Sequence, residues 1–236
     1  MKTELKEWLL TLLFPRRCAV CDSIMTGGDG ICRECAPKIR FLPENICMVC
    51  GKIVNEGNVF CYDCSRKKHV FIRNFAVFVY DDIRESLYRF KYNGRAEYAE
   101  YYASSAYKRL GAQLRRLNAQ ALVPIPLHSS KKRKRGYNQA EEFAQELSRL
   151  SGIPVRTDLV KRQKRTKPLK TLNTSERQNN LKKAFLFTQN DVKLSTIILV
   201  DDIYTTGATL DAVASVCHEA GIARIYGVTV AVGTGL

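Results

Sequence analysis

Eight of the nine cysteines lie within the first 64 residues, in pairs separated by two residues. The pairs are Cys18/Cys21, Cys32/Cys35, Cys47/Cys50 and Cys61/Cys64. Two intervening residues let both sulfurs of a tight turn face one metal ion, and two such turns complete a tetrahedral zinc site. Because every ligand would be a thiolate and no position would remain for water, the spacing predicts structural rather than catalytic zinc.

The cysteine-rich segment is an internal duplication, since a shift of 29 residues places the first four cysteines on the second four. A unit this small has little apolar core, so each metal would supply on the order of 10–16 kcal/mol of folding free energy. We therefore predict two structural zinc ions. The sequence leaves open whether each half binds its own ion or the halves interleave, and an iron–sulfur centre or a redox dithiol is the alternative chemistry. Cys217, in an apolar helical stretch, is predicted to be a small buried side chain.

A second group of chemically useful residues lies between Ile197 and Thr209. Four branched apolar residues predict a strand buried on both faces, and Asp201 and Asp202 follow at its carboxyl end, where open α/β sheets bind ligands. The next residues offer hydroxyls and backbone N–H groups at the start of a predicted helix: Thr205, Thr206, Gly207, Ala208 and Thr209. Such groups bind phosphate. Carboxylates beside a phosphate site suit a ligand that also carries hydroxyls, such as a sugar phosphate.

The acid pair has two other interpretations. A nucleotide hydrolase would also place acids after an apolar strand, but it needs a GxxxxGK[ST] loop, which this sequence lacks. The two acids could also simply cap the following helix, because Asp is a common capping residue.

Positive charge is concentrated in one part of the chain. Residues 128–170 contain thirteen Lys or Arg against four Asp or Glu, which is +9 of a total of +15. The two clusters are Lys131, Lys132, Arg133, Lys134 and Arg135, and then Lys161, Arg162, Lys164, Arg165 and Lys167. Such clusters bind pyrophosphate or a nucleic-acid backbone. Tyr137 is predicted to pack rather than to stack on a base. The cysteine module either adds a nucleic-acid surface or supports the other domain, and the sequence does not decide between these.

The elements that must position these residues follow from the composition and periodicity. With 236 residues, 45% hydrophobic and 26% charged, the chain is globular, which excludes disordered and fibrous classes. We predict a helix over 1–15, a zinc module over 16–69 and an α/β domain over 70–236. Predicted strands are Phe75–Tyr80, Ala121–Ile125, Thr196–Val200 and Ile225–Val232; predicted helices are Ile83–Phe90, Glu97–Leu117, Gln139–Leu150 and Thr209–Ala220. This alternation predicts a mostly parallel sheet with helices on both faces.

The N-terminal residues have helical apolar spacing but acidic residues where a signal peptide would be basic. No apolar run reaches the roughly 18 residues of a membrane span. We therefore expect a cytoplasmic protein whose first helix packs on the protein itself, with a partner-binding helix as the alternative.

The segment around Asp201 resembles the phosphoribosyl-pyrophosphate (PRPP) motif of type I phosphoribosyltransferases. Together with the duplicated cysteine module, the chain is similar to the ComF family of bacterial competence proteins. The further motifs that carry this resemblance are Lys91-Tyr92-Asn93-Gly94-Arg95, Val123-Pro124-Ile125-Pro126-Leu127, Arg135-Gly136-Tyr137-Asn138-Gln139, and the group Arg177, Asn180 and Phe185.

The resemblance implies a type I phosphoribosyltransferase-like fold and a set of roles. Asp201 and Asp202 would be the catalytic acids that bind the ribose hydroxyls, and the residues from Thr205 to Thr209 would hold the 5-phosphate. Leu127 and His128 would belong to the pyrophosphate loop, at about residues 126–130. Arg177 would lie on a mobile loop that closes over the site. The chain departs from the family pattern in this region, because Leu169 stands where the family tends to have Gln.

The implied function is to handle single-stranded DNA during natural transformation and to bind PRPP with Mg²⁺. Lys131 to Arg135 would contact the DNA, with a DNA helicase or recombination protein of the uptake machinery as partner, close to the inner side of the membrane. The alternative is an active phosphoribosyltransferase with an unknown acceptor, and the sequence leaves open whether any transfer reaction occurs.

Overall fold

The computed structural model describes residues 15–163, 181–188 and 193–233. Apart from Pro15, the helix predicted over residues 1–15 lies outside the described residues. So do Lys164, Arg165 and Lys167 of the second basic cluster, together with Arg177.

Each half of the cysteine module folds as a ribbon of turns with one antiparallel bridge. The bridges join Arg17 with Ile24 in the first ribbon and Ile46 with Ile53 in the second. Asp22 and Gly51 occupy equivalent positions, and both adopt a left-handed conformation, with φ of 66° and 81°. The first ribbon ends in a 3-10 turn at Ala36–Lys38, whereas the second contains helix α1 (Tyr62–Arg66). The 29-residue relation read from the cysteines therefore extends to the backbone.

Six strands follow in the described residues: β1 (Arg73–Val79), β2 (Ala121–Pro124), β3 (Val160–Arg162), β4 (Phe185–Phe187), β5 (Thr196–Tyr204) and β6 (Arg224–Val232). The main sheet has the order β1-β6-β5-β2, and every neighbouring pair in it is parallel. The short strands β3 and β4 form a separate antiparallel pair. The predicted parallel sheet is thus confirmed.

The described residues contain five further helices around the main sheet: α2 (Tyr80–Tyr92), α3 (Tyr98–Leu117), α4 (Ser129–Arg135), α5 (Gln139–Ser151) and α6 (Ala208–Glu219). Ile198 and Val200 of β5 face the layer formed by α2, α3 and α5. Ile197 and Leu199 face the opposite layer, which contains α6, the β3–β4 hairpin and the second ribbon. Both faces of β5 are covered, which explains why its sequence is apolar without alternation.

The structure corrects the sequence prediction at three places. Strand β5 continues to Tyr204, so Asp201 and Asp202 lie within the strand rather than after it. Residues Ser129–Arg135 form helix α4, although we assigned the start of this stretch to a loop. The β3–β4 hairpin was not predicted at all.

Candidate functional site

Asp201 and Asp202 lie near the carboxyl end of β5, between the ends of β6 and β2. Asp201 pairs with Thr229 of β6, and the last paired residue of β2, Pro124, lies opposite Val200. The backbone N–H of Asp202 donates to Oδ1 of Asp201 over 2.9 Å. The two carboxyl groups are therefore held side by side at an edge where parallel sheets present their ligand sites.

Two cations from other elements approach this acid pair. Nζ of Lys91, near the end of α2, lies 3.0 Å from Oδ2 of Asp202. Arg162, in β3, packs over the ring of Phe185, with 5.2 Å between its guanidinium carbon and the ring centroid, and its charge acts on Asp201. Burial lowers the pKa of Arg162, while Asp201 opposes that effect.

Asp201 has a strongly altered proton affinity. Burial, and after it the charge of Asp202, raises the pKa of Asp201 to about 7. The hydrogen bond from the N–H of Asp202 and the charges of Lys91 and Arg162 act in the opposite direction without cancelling the effect. A buried carboxyl with a raised pKa and adjacent cations is a typical feature of a functional site.

The loop after β5 leads directly into α6. Thr205 and Thr206 are exposed, and the N–H of Ala208 lies 3.5 Å from the hydroxyl oxygen of Thr206. Gly207 occupies the N-cap position with φ of 75°, and no side chain caps the helix. Apart from the Ala208 N–H, which contacts Thr206, the first N–H groups of α6 therefore remain available to an anion. The interpretation of Asp201 and Asp202 as helix caps is wrong, because Gly207 takes that position.

Leu127 and His128 lie between β2 and α4 and are half-buried. His128 is the N-cap of α4, and its Nδ1 accepts from the N–H of Ser130 at 3.2 Å. This segment leaves the end of β2, which pairs with β5. The structure thus places it on the same sheet edge as the acid pair.

The first basic cluster forms α4 and lies beside exposed aromatic rings. Tyr88 and Tyr92 of α2 are 55% and 52% exposed, and their ring centroids are 5.0 Å apart. The guanidinium carbon of Arg135 lies 4.7 Å from the ring centroid of Tyr92. Tyr137 instead donates a hydrogen bond to the carbonyl of Phe90, and burial raises its pKa to about 12. The prediction that Tyr137 packs is confirmed.

The eight cysteines form two separate clusters, one in each ribbon. The clusters are Cys18, Cys21, Cys32 and Cys35, and then Cys47, Cys50, Cys61 and Cys64. Within each cluster all sulfurs lie within 4.8 Å of one another. Each ribbon therefore has its own site, and the interleaved arrangement that the sequence left open is excluded.

The sulfur positions fit a tetrahedral zinc ion. A Zn–S bond of about 2.3 Å places the sulfurs about 3.8 Å apart. The sulfurs of Cys21 and Cys32 are 3.8 Å apart, and those of Cys50 and Cys61 are 3.5 Å apart. Burial raises the pKa of the Cys64 thiol to about 12, and zinc binding requires this thiol to lose its proton. The donor set and its spacing indicate structural zinc in both ribbons.

Cys217 is fully buried in α6, and burial raises the pKa of its thiol to about 12. Its predicted role as a small core side chain is confirmed.

Sequence reasoning missed four residues that the structure brings to this region: Lys91, Arg162, Tyr88 and Tyr92. Lys91 and Tyr92 belong to a motif that carried the family resemblance, but they received no role. Arg162 was counted only as part of a basic cluster. The positions of Tyr88 and Tyr92, four residues apart on a helix, were the available signal for a shared face.

Comparison with known proteins identifies two families along the chain. Residues 9–65 match the double zinc ribbon domain, and residues 119–233 match the phosphoribosyl transferase domain. Among the described residues, none of the helices is both long enough and apolar enough to cross a membrane.

Three curated proteins illustrate the similarity. Competence protein F of Haemophilus influenzae is 37% identical over 108 residues, which cover 45% of this chain and 47% of that protein. Competence protein ComFC of Bacillus subtilis is 34% identical over 151 residues, which cover 63% and 59%. DNA utilization protein YhgH of Escherichia coli K12 is 31% identical over 104 residues, which cover 44% and 45%. The match therefore spans less than two thirds of each of these relatives.

Proposed function

Because this chain belongs to the ComF family, we propose that it handles single-stranded DNA during natural transformation and binds PRPP with Mg²⁺. The single observation that carries the PRPP site is the convergence of the acid pair and the uncapped start of α6 on one edge of the sheet. We also retain the proposed division into a helix over 1–15, a zinc module over 16–69 and a transferase-like domain over 70–236.

PRPP has the chemistry that this edge can bind. Its ribose hydroxyls are donors for the carboxylates of Asp201 and Asp202, and its 5-phosphate suits the N–H groups and hydroxyls from Thr205 to Thr209. Its pyrophosphate would extend towards Leu127 and His128, at the end of β2. Mg²⁺ bound with PRPP beside Asp201 and Asp202 would stabilise negative charge on the pyrophosphate leaving group. Arg177, outside the described residues, keeps its proposed role in closing the site.

Lys91 and Arg162 extend this proposal. Both cations lower the pKa of Asp201, and so they increase the fraction of ionised carboxylate that can accept from a hydroxyl. Lys91 also fixes the position of Asp202 through the 3.0 Å ion pair. We propose that these two residues position the acid pair and favour the ionised form of Asp201.

The PRPP proposal is tested by calorimetric titration of Mg-PRPP into the zinc-loaded protein and into the Asp201→Asn/Asp202→Asn variant. We expect binding by the native protein and at least a tenfold loss in the variant. The Glu146→Gln variant is the control, because that residue lies on α5 and pairs with Arg149 at the surface. Absence of binding by the native protein would refute the proposal. Release of pyrophosphate in the presence of an acceptor would instead establish the alternative, an active phosphoribosyltransferase.

The DNA surface that we propose combines α4 with the exposed rings of α2. Lys132 is paired with Glu141, and Arg135 is held against Tyr92. Lys131, Arg133 and Lys134 are exposed and form no ion pair with residues that the structure describes. Cations that follow the phosphates, next to rings on which bases stack, are typical of proteins that bind single strands without sequence preference.

Charge and stacking make separable contributions to DNA binding. About five phosphate contacts predict a slope near −3.5 for log K against log salt concentration, and each removed contact reduces its magnitude by about 0.7. Loss of one stacked base weakens binding by about 1–3 kcal/mol. Changing Lys131, Arg133 and Lys134 to Ser should therefore flatten the slope by about 2, whereas Tyr88→Ala/Tyr92→Ala should leave the slope unchanged.

Oligothymidylate and an abasic oligonucleotide of equal length distinguish the contribution of charge to DNA binding from the contribution of stacking. The tyrosine variant should bind both equally, while the serine variant should retain a preference for bases. A salt-independent affinity of the native protein would refute DNA binding by this surface.

The remaining parts of the proposal concern location and partners. The reduced cysteines required for zinc suit the cytoplasm, and a DNA helicase or recombination protein of the uptake machinery is the proposed partner, near the inner face of the membrane. Co-purification with the uptake machinery in competent cells would test both.

A further inference from the structure

The connector that leaves the second ribbon reaches the first turn of α6. There, Oδ2 of Asp211 accepts from Nζ of Lys67 at 2.7 Å and lies 2.8 Å from Nδ1 of His69. Its other oxygen, Oδ1, accepts from the backbone N–H of Val70 at 3.1 Å. Three groups from four consecutive residues therefore converge on one carboxylate of the helix that begins at the phosphate-binding loop.

The other side of His69 faces the second zinc cluster. Its Nε2 lies 3.5 Å from the sulfur of Cys64, and its side chain is only 2% exposed. The imidazole also stacks on Phe71, with ring centroids 4.7 Å apart. His69 is thus fixed between a predicted zinc ligand and Asp211, with one ring nitrogen directed to each.

The phosphate-binding loop rests against the same imidazole. A Cβ added at Gly207 would lie 2.9 Å from Cζ of Tyr204 and 3.1 Å from Cε1 of His69, so there is no free space beneath the loop. The carbonyl of Gly207 accepts from the N–H of Asp211 at 2.8 Å. A displacement of His69 would therefore shift the loop both through direct packing and through Asp211.

The first ribbon has different contacts. Its Asp22 accepts from Arg95 and from the hydroxyl of Tyr98, and its Ala19 carbonyl accepts from Ser86. These partners belong to α2, α3 and the turn between them. The first ribbon therefore provides an internal reference for effects that are specific to the second.

We propose that zinc in the second ribbon positions the phosphate-binding loop through Cys64, His69 and Asp211, so that zinc and PRPP bind cooperatively. This inference rests on the proposed PRPP site. His69 and Asp211 are positioning residues: neither has to touch the ligand. Outer-shell partners of metal ligands typically change metal affinity by about 10–100-fold when they are replaced.

Thermodynamic linkage makes this coupling measurable from either side. If occupancy of the second ribbon strengthens PRPP binding about tenfold, saturating PRPP must strengthen zinc binding to that ribbon by the same factor. A merely structural contribution of His69 and Asp211 to stability would not produce a PRPP-dependent zinc affinity.

The experiment measures zinc affinity separately for each ribbon. Full-length protein is equilibrated in zinc buffers with and without Mg-PRPP, treated briefly with a thiol alkylating reagent and analysed by peptide mass spectrometry. Asp211→Asn and His69→Gln remove or weaken the contact that runs from Cys64 through His69 to Asp211. Glu219→Gln is the matched control, because the Glu219 carboxylate lies on the last turn of α6 and pairs with Lys182. Calorimetry on the same variants reports PRPP affinity.

We expect Mg-PRPP to raise the zinc affinity of the second ribbon about tenfold in the native protein and in Glu219→Gln, with less than a twofold effect at the first ribbon. Asp211→Asn and His69→Gln should lose this response and bind PRPP about tenfold more weakly. Normal PRPP binding with an unchanged zinc affinity of the second ribbon would overturn the inference.

A separate measurement covers the case in which the native protein does not bind PRPP, which would refute the proposed function. Hydrogen exchange of residues 205–211 is then compared before and after zinc removal, with the β5 peptide as the control for general unfolding. Faster exchange confined to the loop, already present in zinc-loaded Asp211→Asn, would uphold the positioning role. Unchanged exchange would overturn it.

Discussion

Raising the pH should destabilise the fold through one carboxyl group, that of Asp201. Its pKa in the folded protein is about 7, against an ordinary value of 3.8, because of burial and the adjacent charge of Asp202. Between these values the folded protein keeps a proton that the unfolded chain releases. The stabilisation is therefore complete below about pH 4 and is lost as the pH rises through about 7.

The size of this effect follows from the pKa difference. About three pH units correspond to a limit of about 4 kcal/mol, of which about 2 kcal/mol falls between pH 5.5 and 8. Because Asp201 is only partly buried as a whole residue, solvent screening should reduce the observed change to about 1 kcal/mol. Below pH 5.5, protonation of the cysteines would compete with zinc binding and obscure the signal.

Urea unfolding of the zinc-loaded protein at about pH 5.5, 6.5, 7.2 and 8 measures this change against the Asp201→Asn variant. The difference in unfolding free energy between the two proteins should shift by about 1 kcal/mol across the range. Asp202→Asn should give a smaller shift than the native protein, since it removes the neighbouring charge that raises the pKa of Asp201. If the native and Asp201→Asn curves remain parallel, the argument from burial is refuted.

Further changes test other parts of the site. Gly207→Ala should destabilise the fold by about 2–4 kcal/mol in urea unfolding, because it combines left-handed strain with a clash against Tyr204, and Tyr204→Phe should recover part of the loss. Lys91→Met should raise the pKa of Asp201 further and weaken PRPP binding at pH 7 by calorimetry, with recovery at higher pH. Zinc removal by a chelator should expose all eight paired cysteines to alkylation and lower the midpoint of thermal unfolding, whereas Cys217 should stay protected until the α/β domain unfolds.

The sequence was most informative where spacing alone constrains chemistry. Four Cys-x-x-Cys pairs with a fixed offset can complete two thiolate sites with few alternatives, and the ribbons preserve this offset in their bridges. The apolar run before Asp201 also had a clear meaning, because only a strand covered on both faces is apolar without alternation. In both cases local pattern and tertiary environment agree.

The remaining parts depend on contacts between distant segments. A run of five basic residues should be a poor helix because like charges repel at i,i+4, yet α4 forms between the His128 cap and Gly136, with Lys132 paired to Glu141. Strands β3 and β4 have three residues each, too few to show a period. The approach of Arg162 to Asp201 depends on that hairpin, and so no local pattern could reveal it.

The contacts of the two ribbons favour a supporting role over a second DNA surface, the choice that the sequence left open. The first ribbon contacts α2, whose Lys91 holds Asp202, and the second contacts α6, whose start forms the proposed phosphate-binding loop. A buried carboxyl group with a raised pKa, such as Asp201 beside Asp202, is intrinsically unfavourable, and a site of this kind persists only when its surroundings hold it in place. The first ribbon contacts α2 and the second contacts the first turn of α6, so each ribbon supports a different helix beside the acid pair. If Cys64, His69 and Asp211 couple the second ribbon to α6 as proposed, zinc in that ribbon both folds it and maintains the geometry on which PRPP binding would depend.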